Sequence, residues 1–118
     1  MKTDYKNEHA SARVVVNPQI PAGVLEVVKL ETDASHTKQG YGTQLMQDIC
    51  ADADIEGVVL MLSPRAFGDG PKDLSKWYER FGFMPIQKKP IVLMARMPQV
   101  YMTMLSAIAG AASEAIRG

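Results

Sequence analysis

Residues 24–62 follow the order strand, turn, amphipathic helix and buried strand, which constrains the fold more than any other feature of the chain. Residues 24–32 are rich in β-branched side chains, which favour an extended strand. Four apolar residues then recur at a spacing that forms one stripe along a helix: Leu45, Met46, Ile49 and Cys50. The apolar run at residues 58–62 predicts a strand that is covered on both faces. Together these segments predict a right-handed βαβ unit.

Shorter elements are expected on both sides of this unit. Residues 13–16 form a β-branched run that we expect to pair antiparallel with residues 24–32. The later elements are a short helix at 72–81 ended by Gly82, strands at 83–87 and 91–97, and a helix at 99–117. This order predicts an α+β fold around a mixed sheet. The expected organisation is a flexible segment at 1–12, one folded domain at 13–97 and a C-terminal helix at 98–118.

Composition argues against several classes of function. The 13 basic residues cancel the 13 acidic ones, so a nucleic-acid partner is not expected. The single cysteine, Cys50, cannot form an internal disulfide, which suits a reducing cytoplasm. No membrane association is expected, because the longest weakly polar stretch, 100–112, is shorter than the roughly 20 residues that a span requires. Two histidines and one cysteine give no metal-ligand cluster, so no metal is expected.

Gly40 and Gly42 lie between the first long strand and the helix that follows it. Glycines let the backbone turn tightly and approach a ligand closely. The amide groups and positive dipole at the helix start favour an anion such as a pyrophosphate, and Lys38 adds a positive charge nearby. The same two glycines also fit a plain turn. Neither of the better-known phosphate loops is present, since the P-loop Lys-Ser/Thr is missing and Leu45 replaces the third glycine of the dinucleotide fingerprint.

Two segments resemble conserved motifs of the GNAT acetyltransferases. Thr37-x-x-Gly40-x-Gly42 is similar to motif A, whose pattern is Gln/Arg-x-x-Gly-x-Gly/Ala, with Thr37 departing from the usual Gln or Arg. Residues 74–83 are similar to motif B, which ends in Phe-Tyr-x-Lys-x-Gly-Phe. The residues in register there are Trp77, Tyr78, Arg80, Gly82 and Phe83. The resemblance covers about residues 13–97.

The resemblance implies a GNAT-like, mixed but mostly antiparallel sheet with a reduced N-terminal part and an added C-terminal helix. It implies acetyl-CoA as cosubstrate, with its pantetheine arm in a splayed gap between the strands at 24–32 and 58–62. The residues expected to hold the donor are Glu31, Thr32, Thr37, Lys38, Gln39, Gly40, Tyr41, Gly42 and Thr43.

Two side chains are candidates for the chemistry of acetyl transfer. Tyr78 matches the family tyrosine that points at the thioester sulfur and would protonate the leaving thiolate. The alternative is a tyrosine packed on the sheet with its hydroxyl at the surface. Glu26 precedes Thr37 by the interval seen for the glutamate base of the histone-acetyltransferase branch. Its alternatives are an exposed residue paired with Lys29 or Arg13, or a site in which ordered water is the base.

The expected acceptor follows from a part of the GNAT pattern that is not seen in this sequence. Most members carry a strand and two helices before the region that begins here at Arg13, and those helices form one wall of the acceptor site. We therefore expect an open groove that suits an amine on a protein or peptide, as in the small acetyltransferases of phages and mobile elements. A small amine, or a non-catalytic acetyl-CoA-binding module, remains the alternative. The small residues of the C-terminal helix would suit either a homodimer or packing over the sheet.

Overall fold

A six-stranded sheet and two helices make up the regular structure of the described residues. The computed structural model describes residues 1–33, 40–64, 74–99 and 107–108. The strands are β1 (Asp4–Lys6), β2 (Ala10–Val15), β3 (Val24–Thr32), β4 (Val59–Leu62), β5 (Met84–Gln87) and β6 (Leu93–Arg96). The helices are α1 (Tyr41–Glu56) and α2 (Ser75–Glu79).

The strand order across the sheet is β1-β2-β3-β4-β6-β5. β3 and β4 pair in parallel, and the other four neighbouring pairs are antiparallel. Because α1 connects the two parallel strands, β3, α1 and β4 form the βαβ unit that the sequence predicts. The prediction of an α+β, mixed and mostly antiparallel sheet is confirmed.

The apolar stripe of α1 packs against one face of this sheet. Leu45, Met46, Ile49 and Cys50 are all buried, and Ala53 extends the stripe by one turn. Burial of a large aliphatic side chain contributes roughly 2 kcal/mol, so this stripe is what fixes α1 to the sheet. Glycines with positive φ flank the helix, Gly40 at the N-cap and Gly57 at the C-cap.

The N-terminal residues differ from the prediction of a flexible segment at 1–12. They form β1 and the first half of β2, so the sheet begins well before residue 13. Tyr5 is 5% exposed, and its hydroxyl donates a hydrogen bond to Asp52 of α1 at 2.7 Å. Burial, reinforced by that carboxylate, raises the pKa of Tyr5. Ala10 and Ala12 alternate with polar residues, which is the pattern of a strand with one buried face. Alanine has a low strand propensity, so this pattern is a weak indication in the sequence.

Other elements confirm the prediction with shifted boundaries. β4 alternates between buried and half-buried residues, so it is less enclosed than a strand covered on both faces. α2 lies inside the predicted range of 72–81, and Gly82 follows it with φ of +92°. The predicted C-terminal helix lies largely outside the described residues; its described members, Ala107 and Ile108, are helical and exposed. No helix in the described ranges is long and apolar enough to cross a membrane.

Candidate active site

The start of α1 presents backbone amides that no capping side chain occupies. Gly40 is the N-cap residue, with φ of +88°, and no side-chain hydrogen bond caps the helix. Its carbonyl accepts the first helical hydrogen bond, from Gln44 at 2.9 Å. The first turn contains no acidic residue, so nothing there opposes the positive end of the helix dipole. This end of α1 therefore has the electrostatic character of an anion site.

Gly42 has a different structural role from Gly40. A Cβ at Gly42 would lie 3.3 Å from the side-chain oxygen of Thr32, whereas a Cβ at Gly40 would meet nothing within 4 Å. Gly42 thus lets the first turn of α1 approach the end of β3. Gly40 is required for its backbone conformation and leaves open space around it. The structure brings Thr32 and Gly42, two of the predicted donor residues, into direct proximity.

β3 and β4 separate after only three residue pairs. Val24 pairs with Val59, Leu25 with Leu60, and Glu26 with Met61. Beyond Glu26, β3 continues to Thr32 and is paired with β2 alone among the described strands. The two parallel strands therefore part at Glu26, one residue before β4 ends at Leu62, and this point is called the splay.

A β-bulge in β3 coincides with the start of this splay. Val14 of β2 pairs with Val27 of β3, and Arg13, one residue earlier in β2, pairs with Lys29, two residues later in β3. Val28 is therefore an extra residue of β3 between these two pairs. A bulge bends its strand and increases the local twist. Val28 lies two residues beyond Glu26, the last residue of β3 that pairs with β4.

Glu26 lies at the vertex of the splay, with Val15 as its neighbour on β2 and Met61 as its neighbour on β4. Its side chain is half-buried and accepts a hydrogen bond from Nδ2 of Asn17 at 2.8 Å. The alternative partners have other contacts: Lys29 lies 3.4 Å from Glu31, and Arg13 lies 3.1 Å from Asp4. Asn17 therefore orients this carboxylate.

The two faces of the sheet differ at this vertex. Leu25, Leu60 and Arg96 form one row across the strands, and Arg96 contacts α1, so this row faces the helices. Successive side chains on a strand point to opposite faces. Glu26 and Met61 therefore face away from α1. This second face is the one from which an acceptor could approach Glu26.

Tyr78 of α2 is fully buried, with 0% exposure. Its ring makes edge contacts with Trp77 and Phe83, with centroids 4.9 and 5.8 Å away. Desolvation raises the pKa of the Tyr78 hydroxyl, which keeps the group protonated. The alternative of a hydroxyl at the surface is therefore wrong. The phenol therefore keeps its proton near neutral pH, although the raised pKa makes it a weaker acid than an exposed tyrosine.

A buried ion pair fixes α1 and α2 relative to each other. Arg96 of β6 donates two hydrogen bonds to Asp54 of α1, and its Nε donates to the carbonyl of Phe81, which follows α2, at 2.6 Å. The hydrogen bonds from Arg96 lower the pKa of Asp54, and the same contact raises the pKa of Arg96. Both helices are thus held on the same face of the sheet.

A cleft of about 510 Å³ lies between the two helices. It is lined from α1 by residues that include Thr43 and Gln47, and from the end of α2 by Arg80 and Phe81. Cys50 also lines it, but burial raises the pKa of its thiol to about 11. A thiol with that pKa is almost entirely protonated near neutral pH and is a poor nucleophile.

Solved structures with the same fold include several N-acetyltransferases. The ribosomal-protein-S18-alanine N-acetyltransferase from Escherichia coli matches with a TM-score of 0.59 and 20% identity, over 75% of this chain and 61% of that chain. An acyl-CoA N-acyltransferase from Pseudomonas aeruginosa matches with 0.57 and 24%, over 75% and 59%. The anti-CRISPR protein AcrVA5 matches with 0.60 and 17%, over 78% and 94%. The chain has the GNAT fold.

The chain spans about three fifths of the length of those two bacterial acyltransferases, but nearly all of AcrVA5. No family model matches the sequence. No curated protein matches it either. At these identities the likeness extends to the GNAT fold.

The structure adds residues to the site that the sequence did not identify. Asn17, which follows the predicted strand at 13–16, binds Glu26, and Arg96, in the predicted strand at 91–97, links the helices. Both contacts join residues that only folding brings together. Three of the predicted donor residues, Thr37, Lys38 and Gln39, lie outside the described residues. Among the described residues, no group of three or more potential metal ligands occurs.

Proposed function

We propose that the protein is an acetyl-CoA-dependent N-acetyltransferase that acetylates a primary amine on a protein or peptide by direct transfer. The observation that carries this proposal is the splay of β3 and β4 beside the uncapped start of α1. Strand edges that diverge leave backbone amide and carbonyl groups unpaired between them. The pantetheine arm, which contains two amide groups, can satisfy those backbone groups as an added strand does.

The donor site follows from these two features. Glu31 and Thr32 belong to the part of β3 that β4 does not cover, and they are the proposed backbone partners of pantetheine. Gly40, Tyr41, Gly42 and Thr43, which start α1, are the proposed pyrophosphate cradle. Thr37, Lys38 and Gln39 complete this set on the basis of motif A alone.

The chemistry requires a base for the amine and an acid for the thiolate. Glu26 faces one side of the sheet at the vertex of the splay, and α2, which carries Tyr78, is linked to the other side through Arg96. We assign Glu26 as the group that accepts the proton of the attacking amine and Tyr78 as the donor to the leaving sulfur. The protonated thiol of Cys50 supports direct transfer rather than an acyl-cysteine relay.

A protein or peptide acceptor is supported by two observations. Glu26, Met61 and Ala95 lie on the sheet face opposite α1 and are only partly buried, so a large acceptor can reach the vertex. Structural neighbours include AcrVA5, nearly all of which the match covers, and an enzyme named for an alanine of ribosomal protein S18. We place the reaction in the cytoplasm, where the single cysteine stays reduced.

The proposal is tested first by binding and then by turnover. Acetyl-CoA at 100 times its dissociation constant should raise the free energy of unfolding by about 2.7 kcal/mol, measured by urea denaturation. Coenzyme A release should then be followed with a panel of lysine peptides, amino-terminal peptides and small amines. No stabilisation at saturating acetyl-CoA would overturn the proposal. Binding without turnover on any amine would identify a non-catalytic module, and turnover confined to small amines would exclude the protein acceptor.

A further inference from the structure

The turn between β1 and β2, residues 7–9, contacts the first residue of α1. Asn7 donates a hydrogen bond from Nδ2 to the carbonyl of Tyr41 at 2.9 Å. The ring of His9 packs edge-on against the ring of Tyr41, with centroids 4.5 Å apart and an interplanar angle of 69°. A polar contact and an aromatic contact therefore hold Tyr41 from the same turn.

The same turn also holds the end of β3. The backbone amide of Asp33 donates to the carbonyl of His9 at 2.8 Å. Nδ1 of His9 lies 3.1 Å from the Asp33 carboxylate. Asp33 directly follows β3 and Tyr41 begins α1, and these two elements carry the proposed donor residues that the structure describes. One short turn is thus bonded to the end of β3 and to the start of α1.

We propose that Asn7 and His9 are positioning residues that fix the end of β3 and the start of α1 relative to each other, and that they thereby set the affinity for acetyl-CoA. This inference rests on the proposed function. Two elements that can move relative to each other lose conformational freedom when a ligand bridges them, and fixing them beforehand reduces that cost. The effect is on binding of the donor and not on the chemical step, because neither side chain is placed at the reacting atoms.

Asn7 has two separable roles in this arrangement. Its Oδ1 accepts hydrogen bonds from the backbone amides of His9 at 3.2 Å and Ala10 at 2.8 Å, and these contacts build the turn. Its Nδ2 donates to Tyr41, and this contact reaches α1. Serine at position 7 keeps an oxygen that can accept from the turn amides, but it is too short to reach Tyr41 and adds no charge.

The experiment compares Asn7→Ser, His9→Ala and His9→Asn with the wild-type protein. Acetyl-CoA affinity is measured by titration calorimetry, kcat and KM by coenzyme A release, and folding by urea denaturation. We expect Asn7→Ser and His9→Ala to raise Kd and KM for acetyl-CoA about tenfold, the factor that one lost hydrogen bond of typical strength predicts, with kcat unchanged. His9→Asn should recover part of the affinity, because its amide can donate to Asp33 from nearly the position of Nδ1.

The matched control is Arg13→Ala, which removes an exposed ion pair with Asp4 on the same hairpin, away from α1. Its Kd should stay within about twofold of wild type, as expected for a surface pair. Unchanged affinity in Asn7→Ser and His9→Ala would overturn the inference. So would an equal loss in Arg13→Ala, or a fall in kcat with constant KM.

A second readout separates this inference from the proposed function. If the wild-type protein binds no acetyl-CoA, the proposed function fails, and hydrogen exchange of the unliganded protein still tests the contacts themselves. Faster exchange at the amides of residues 33 and 41–43 in Asn7→Ser, but not in Arg13→Ala, would support fixation of the end of β3 and the start of α1. Unchanged exchange at those amides would overturn it.

Discussion

Arg96 and Asp54 form a bidentate ion pair, with Nη1–Oδ1 and Nη2–Oδ2 distances of 2.8 and 2.9 Å. The Arg96 side chain is 9% exposed and that of Asp54 is 29% exposed, so solvent screens the pair only partly. The same carboxylate accepts the backbone amide of Gln99 at 2.7 Å, and Arg96 also binds Phe81. One pair therefore joins α1, β6 and the end of α2.

Replacing Asp54 should destabilise the protein, because Arg96 would keep a nearly buried charge without its carboxylate. We expect Asp54→Asn to lower the free energy of unfolding by about 2–4 kcal/mol, somewhat below the cost of breaking a fully buried pair. Urea denaturation measures this change. Asp48→Asn, at an exposed position of the same helix, is the control and should cost less than about 0.5 kcal/mol. Equal effects of the two substitutions would show that the pair contributes nothing specific.

The Asp54–Arg96 pair should also make stability depend on acid pH. Since the pKa of Asp54 is lower in the folded protein than in the unfolded chain, its contribution is complete above the unfolded pKa of about 4 and is lost as pH falls through the folded value. Stability curves between pH 7 and pH 2 should therefore converge for wild type and Asp54→Asn at the acid end. Curves that stay parallel would contradict the assignment.

Tyr78→Phe should separate catalysis from donor binding. The phenyl ring keeps the contacts with Trp77 and Phe83, whereas the proton donor is lost, so kcat should fall by about 10²-fold or more with little change in the Kd of acetyl-CoA. Coenzyme A release and calorimetry measure the two quantities. Tyr41→Phe, which keeps the ring against His9, is the control for loss of a tyrosine hydroxyl. An unchanged kcat in Tyr78→Phe would exclude its role as the acid.

Tyr5 and Tyr78 should titrate only when the protein unfolds. Burial raises both pKa values, so the folded state prefers the neutral phenols; their contribution is complete below the unfolded pKa of about 10 and is lost as pH rises above it. The ultraviolet absorbance of tyrosinate should therefore show that at least two of the four tyrosines ionise in step with alkaline unfolding, followed by circular dichroism. Ionisation of all four tyrosines before unfolding would contradict the burial.

Glu26→Gln should lower kcat/KM by about 10²–10⁴-fold if the carboxylate is the base. Asn17→Ala leaves the carboxylate but removes the hydrogen bond that orients it, so a smaller loss of about tenfold is expected. Glu31→Gln, at an exposed position of the same strand, is the control, because its proposed contact with the donor is through the backbone. A full rate in Glu26→Gln would assign the role of base to ordered water.

Gly40 should tolerate asparagine better than alanine. Its φ of +88° costs a residue with a Cβ about 1–2 kcal/mol, and asparagine enters this region more readily. Space is not the reason, because nothing lies within 4 Å of a Cβ at this position. Urea denaturation of Gly40→Ala and Gly40→Asn gives the two costs. Equal stability of all three proteins would refute the conformational requirement.

Local sequence patterns predicted the centre of the fold well. The stripe of α1 and the glycines that begin and end this helix act over a few residues, so their signals are visible in the sequence. The β1 strand was missed because its main signal is Tyr5, whose burial depends on Asp52, 47 residues away. Its neighbouring side chains are polar, as expected for a strand with one solvent face.

Only those residues of the candidate site that belong to a sequence motif could be predicted from the sequence. Gly40 and Gly42 belong to such a motif, but Asn17 and Asn7 act through contacts with Glu26 and Tyr41 that no spacing along the chain reveals. The bulge at Val28 was equally hidden, since an extra residue in β3 is defined only by its register with β2. These features arise from pairing between segments and appear only in the folded chain.

The short β3–β4 ladder divides the sheet into two panels, β1-β2-β3 and β4-β6-β5, which share three rungs. If the proposed function holds, acetyl-CoA would act as a seventh strand as well as a reactant, because its amide-bearing arm would continue the β3–β4 ladder beyond Glu26. Each turnover would then remove part of the sheet's own hydrogen bonding. The protein would be most rigid with acetyl-CoA bound. Release of the product would leave the two panels freer to move relative to each other until the next acetyl-CoA binds.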